Sequence, residues 1–149
     1  MDYSREPIKI YTLDNKPKGT DFLEFQPGKF NWKFWDKRSI YIREDIFEYI
    51  ESVFYKNLKS YDRYENTELT KEDVDTLIRA LEIFAKELIN KTTADSIIAH
   101  LGYDPSRMDK DYKNNYVKEK KDVVKFCIDL SAWLKQAINE TGTITIIGI

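Results

Sequence analysis

The stretch that most constrains this chain is its last thirty-three residues, VKEKKDVVKFCIDLSAWLKQAINETGTITIIGI, Val117 to Ile149. Val123, Val124, Phe126, Cys127, Ile128, Leu130, Ala132, Trp133, Leu134, Ala137 and Ile138 leave polar groups mainly along Asp122, Lys125, Asp129, Gln136 and Glu140. An apolar face wider than half a turn requires neighbours on more than one side of the helix. Gly142 stands where a left-handed residue ends a helix, and β-branched Thr143-Ile144-Thr145-Ile146-Ile147 then predicts a strand. So apolar a strand is expected to pair inside a sheet or to be shielded, because an open edge of that composition would aggregate.

Upstream, the local signals alternate between strand and helix. Ile8 to Leu13 predicts a short strand closed by the turn formers Asp14 to Gly19, and Phe22 to Phe25 predicts a second that ends at Pro27-Gly28. Ser39 to Ile42 reads as a strand running into a helix. Ile46, Phe47, Ile50, Val53, Phe54 and Leu58 give that helix its period, and Glu44 and Asp45 suit its first turn. Ser60 to Glu68 is polar and reads as a loop. Thr70 with Asp73 forms a capping box, and Leu69 with Val74 forms a hydrophobic staple, so a helix is predicted from there to about Asn90. Thr93 to Gly102 predicts a short helix, and Tyr103 to Tyr116 an irregular stretch.

These elements predict an α+β fold over residues 1–149 as a single domain: a small, mostly antiparallel sheet packed against three longer helices and one short one. A chain of 149 residues buries enough surface to fold without a disulfide, and its lone cysteine forbids an internal one. The start, MDYSREPIKIY, lacks the apolar run of a secretory signal, and nothing approaches membrane-spanning length. The expectation is a cytoplasmic protein with no membrane partner.

Charge is unevenly spread over a net of −2. Arg43 to Asp75 carries ten acids against five bases, whereas Arg107 to Lys125 carries seven bases against four acids. Two solvated helix faces would account for this, and so would a two-signed interaction surface. Broad nucleic-acid binding by phosphate neutralisation is disfavoured, so no nucleic-acid partner is expected. Phe30, Trp32, Phe34 and Trp35, interleaved with Lys29, Lys33, Lys37 and Arg38, admit three readings. They wedge a loop onto the core, present a tryptophan to a partner, or stack on bases.

The residues of catalysis are sparse. One His and one Cys make no ordinary zinc site, so any metal would need a carboxylate group such as Glu65, Glu68, Glu72 and Asp73, which suits the helix start better. Cys127 on an apolar helix face lacks the setting that stabilises a thiolate. Five scattered glycines match no phosphate-binding fingerprint. We therefore expect no enzyme, no metal and no cofactor; the alternative is a small ligand-binding domain or enzyme with a pocket between sheet and helices.

Trp35-Asp36-Lys37-Arg38-Ser39-Ile40-Tyr41-Ile42 with the helix after it, the Leu69-Thr70-x-Glu72-Asp73 start, and Ala132-Trp133-Leu134-Lys135-Gln136-Ala137-Ile138 with Ile144 to Ile149 form a pattern. It resembles small bacterial immunity proteins of contact-dependent growth inhibition and polymorphic-toxin systems, over most of the chain after about residue 30. The resemblance implies a protein that binds one cognate toxin domain and blocks its active site or substrate access. The acids from Glu44 to Asp75 would complement a basic nuclease surface, with Glu65, Glu68 and Glu72 as the contacts and Tyr49, Tyr55, Tyr61 and Tyr64 as candidate anchors.

Overall fold

The computed structural model describes residues 8–30, 32, 35–101 and 116–148. In chain order these give β1 (Tyr11–Thr12), β2 (Phe22–Pro27), β3 (Ile40–Arg43), α1 (Glu44–Phe47), α2 (Glu51–Asn57), β4 (Thr67–Leu69), α3 (Lys71–Asn90), α4 (Ala94–Leu101), α5 (Tyr116–Thr141) and β5 (Ile144–Ile147). The expected irregular stretch before Tyr116 lies outside the described residues.

The strands form one antiparallel sheet in the order β1-β3-β2-β5-β4. β5 sits between β2 and β4, paired on both sides and buried along its length, as its apolar composition requires. The fold is α+β, as expected.

The period of two in each strand sorts side chains to two faces. Leu23, Phe25, Ile40, Ile42, Leu69, Ile144 and Ile146 belong to the main core, which they share with the helices. Tyr11, Phe22 and Tyr41 form a second, small apolar group. On the helix side, Leu77, Leu81 and Leu88 of α3 and Val123, Phe126, Leu130 and Leu134 of α5 are buried, and these two helices pack along one another. Phe25, Phe47 and Phe54 meet edge to face, with ring centroids 4.9 to 6.1 Å apart.

The capping box is present: Thr70 Oγ1 accepts from Asp73 N at 3.1 Å, and Asp73 Oδ2 accepts from Thr70 N at 3.0 Å. At the far end of α5, Gly142 adopts φ +73° and its N–H donates to Ile138 O.

Two expectations are corrected. The first long helix is two short ones. Tyr49 and Ile50 donate to carbonyls three residues back, and Ile50 at φ −120° and ψ 0° leaves the helical region. The break accompanies burial of Tyr49, whose hydroxyl donates to Glu119 Oε2 of α5 at 2.7 Å. The second correction is β4, whose first two residues, Thr67 and Glu68, end the polar stretch read as a loop. Its three residues alternate inward, outward, inward, and pairing with β5 makes them a strand.

Candidate functional site

Two groups stand out in the acid-rich segment, apart from Asp45 on Arg43, Asp62 in the turn and Asp73 in the cap. Arg63 gathers the first: Nη2 and Nε reach Glu51 Oε1 and Oε2 at 2.6 and 2.8 Å, Nη1 reaches Glu44 Oε1 at 3.2 Å, and Glu48 lies 3.7 Å from Nη2. The two-pronged bond to Glu51 raises the guanidinium's already high pKa further. Tyr61 joins the same carboxylate, donating to Glu51 Oε2 at 3.0 Å. Its hydroxyl is raised above its ordinary value by burial first and by the Glu51 charge second. Much of the segment's negative charge is therefore spent inside the fold, holding the α1–α2 corner to the chain at residues 61–63.

Glu65, Glu68 and Glu72 are the second population. All three are exposed, and none makes an ion pair among the described residues. Tyr64 beside them is 73% exposed. The turn that carries it is braced: Tyr64 N donates to Asp62 Oδ1, Glu65 N donates to Asp62 O, and Gly148 N donates to Asn66 Oδ1. Gly148 fits so closely that an added Cβ would lie 2.5 Å from Glu65 O and 2.6 Å from Arg63 O. Of the tyrosines expected as anchors, Tyr49 and Tyr61 are core residues; Tyr61 is 6% exposed and touches Phe47, Phe54 and Tyr55. Surface aromatics in this segment are Tyr55 and Tyr64.

The sheet face away from the main core carries a feature that was not legible beforehand. Glu24 is buried on it, and its carboxylate accepts from Trp35 N (2.8 Å), Asp36 N (3.2 Å), Ser39 Oγ (2.7 Å) and Gln26 Nε2 (3.2 Å). It fastens the connection between β2 and β3 across the sheet. Tyr41 stacks on Trp35 at 5.5 Å and donates to Asp36 O at 2.9 Å, while Lys16 Nζ stands 4.4 Å above the Trp35 ring. The available signal was alternation: in Leu23-Glu24-Phe25-Gln26 the polar pair falls on one face.

Trp32 and Trp35 both hold positive φ, 66° and 62°. That region is unusual for a bulky residue. Trp35 is 40% exposed and partly packed, whereas Trp32 is 86% exposed and touches Phe30 at 5.2 Å. The wedging reading thus applies to Trp35, and Trp32 is presented to solvent.

No protein-family model, curated protein or solved structure matches the chain.

The remaining chemistry is dispersed. His100 Nε2 lies 3.0 Å from Phe84 O, its ring stacks on Phe84 at 4.5 Å, and Nδ1 is 4.0 Å from Glu87. It borders a groove of about 420 Å³ between α2, α3 and α4, with Ser52, Lys56 and Asn57. Cys127 lines a different groove, of about 250 Å³, between α3 and α5, and burial pushes its thiol up to about 12. A thiol held that high is protonated at neutral pH and is a poor nucleophile. Among the described residues, no three His, Cys, Asp or Glu side chains converge to hold a metal. No described helix is long and apolar enough to cross a membrane.

Proposed function

We propose that the chain is a non-catalytic cytoplasmic binding protein, an immunity protein that neutralises a cognate toxin domain by covering its active site or substrate access. One observation carries the reading: the braced turn at 62–66 presents Tyr64 to solvent beside acids that have no ion-pair partner among the described residues. A pre-ordered aromatic loses little entropy on binding, and unpaired carboxylates around it steer a basic partner, such as a nuclease, into place. Glu44 and Glu51 are committed to Arg63, Asp45 to Arg43 and Asp73 to the α3 cap, whereas Glu65, Glu68 and Glu72, without an ion-pair partner among the described residues, are free to meet one on another protein.

Co-expression with the toxin domain encoded beside this chain tests the reading. Restored growth and a one-to-one complex are expected. Reversing Glu65, Glu68 and Glu72 to lysine should slow association and leave the melting temperature nearly unchanged. If the chain neither restores growth nor forms a complex, the reading is wrong.

A small ligand-binding role is the second reading, favoured by the mixed lining of the His100 groove, where Lys56, Glu87 and Asn57 face one space. It predicts that a bound metabolite raises the melting temperature and that His100→Ala abolishes the rise.

A further inference from the structure

A groove of about 250 Å³ runs along the outside of the helix layer, and every residue that lines it belongs to α3 or α5. Leu81, Ala85 and Cys127, all buried, form its floor. Its rim is open. Ile128 is 59% exposed and Ala132 is exposed beside it on α5, while Ile78 is half-buried on α3. Ile89, 53% exposed, lies four residues past Ala85 and so continues the α3 side of the strip. On α5 the same outward strip is otherwise lysine, at Lys121, Lys125 and Lys135. One isoleucine on a surface means little. A continuous apolar strip with a recess in it, carried on two long helices that pack along one another, marks a surface that another protein covers.

The charges of the lining say which protein. Glu82 and Lys135 both border the groove, both are exposed, and neither has an ion-pair partner among the described residues. Leu69 pairs with Ile144, so α3 leaves the sheet at the end where α5 returns to it, and the two helices run antiparallel. Counted from that pair, Glu82 stands 13 residues along α3 and Lys135 only 9 back along α5, whereas Ile78 stands 9 along and Ile128 16 back. At a rise of about 1.5 Å per residue, the acid and the base therefore occupy opposite corners of the groove, and Ile128 and Ile78 the other two. A two-fold axis lying in this face, through the Ile128 and Ile78 corners, turns a second copy over so that its Glu82 comes onto Lys135 and its Lys135 onto Glu82. Ile128 then meets its own counterpart on the axis. The helix pairs cross obliquely, as packed helices do.

We propose that the groove between α3 and α5 joins two copies of this chain in an isologous dimer, with Ile128 at its centre and a Glu82–Lys135 pair on either side. Burial of the isoleucines supplies affinity, and the paired charges set the orientation. The lysines along this strip would repel the basic toxin that Glu65, Glu68 and Glu72 suit, whereas a second copy brings the complement of both groove charges. The inference goes beyond the immunity reading and does not rest on it.

Sedimentation equilibrium of the full chain tests it. A reversible monomer–dimer transition is expected, with Kd on the order of 10 µM for an interface at the small end of the range. Ile128→Glu places like charges together on the axis and should raise Kd by about 30-fold or more. Glu82→Lys and Lys135→Glu should each raise it by about tenfold, and the two combined should return it to within about threefold of wild type. Ile83→Glu, at a position 58% exposed on the α2 side of α3, should leave it unchanged. Melting curves at a concentration where the wild type is monomeric should coincide for all variants, which separates loss of the dimer from loss of the fold. A chain that stays monomeric up to about 0.5 mM overturns the dimer. A double variant no better than its parents, or an Ile83→Glu effect as large as that of Ile128→Glu, overturns this face. A monomer whose affinity for the toxin domain falls in Ile128→Glu gives the groove to the toxin and overturns the second copy, while the immunity reading stands.

Discussion

Opposite faces of the same five strands are closed by different physics. On one, Leu23, Phe25, Ile42, Leu69, Ile144 and Ile146 meet the helices, and stability there scales with apolar area removed from water. On the other, a single buried carboxylate gathers four donors and ties down a loop that carries two tryptophans in left-handed conformation. The first arrangement tolerates any residue of similar size and greasiness. The second depends on one residue, because removing an acceptor strands every donor aimed at it.

Substitutions that separate the two faces sharpen this contrast. Leu81→Ala empties a fully buried site between α3 and the rest of the core, and about 3–5 kcal/mol of stability should be lost in denaturant titration. Glu24→Ala leaves the Ser39 hydroxyl and the Trp35 and Asp36 amides without their acceptor. We expect a loss of about 2–3 kcal/mol with faster proteolysis confined to residues 28–39. A cost near ~0.5 kcal/mol, the scale of an ordinary surface change, would mean that aromatic packing alone closes this face.

The helix side carries a weak point of its own at Glu119. Burial raises its carboxyl above the ordinary 4.5 and outweighs the Tyr49 hydroxyl, which favours the charged form. The folded chain then holds this proton more tightly than the unfolded chain, so this group's contribution is present at low pH and is lost as pH rises from about 4.5 through the raised value. Glu119→Gln should remove that decline. Melting temperatures of variant and wild type should diverge, in the variant's favour, as pH rises above the ordinary carboxyl value of 4.5, and parallel curves would refute the assignment.

Trp32→Gly should have the smallest effect. Relief of the left-handed conformation offsets the loss of contact with Phe30, and stability should stay within ~0.5 kcal/mol of wild type. A large loss would show that the indole serves the fold after all, and the comparison between the faces would fail.

Where the determinants are close in sequence, the chain could be read directly. α3 is announced by Thr70 and Asp73, three residues apart, and by a period that continues to Leu88. α5 and β5 follow from an apolar run, a glycine and a β-branched run in succession. The acids of Arg43 to Asp75 were visible as a count, but their division was not. Glu51 and Arg63 are twelve residues apart, and only the α1–α2 corner brings Glu44, Glu48 and Glu51 to one guanidinium. Tyr61 and Tyr64 look alike in sequence, yet one is core and the other surface.

The sequence by itself determined the α+β class, the two long helices and the burial of the last strand, because propensity, capping and hydrophobic period act over a few residues. Tertiary structure alone decided that Glu24 is buried beneath Trp35 and Asp36, that three residues after the turn become a strand, and that Trp32 is more exposed than Trp35. Each of those outcomes depends on pairing between segments separated by up to 117 residues, as Thr145 and Gly28 are. No local rule carries information over that distance; only the assembled sheet does.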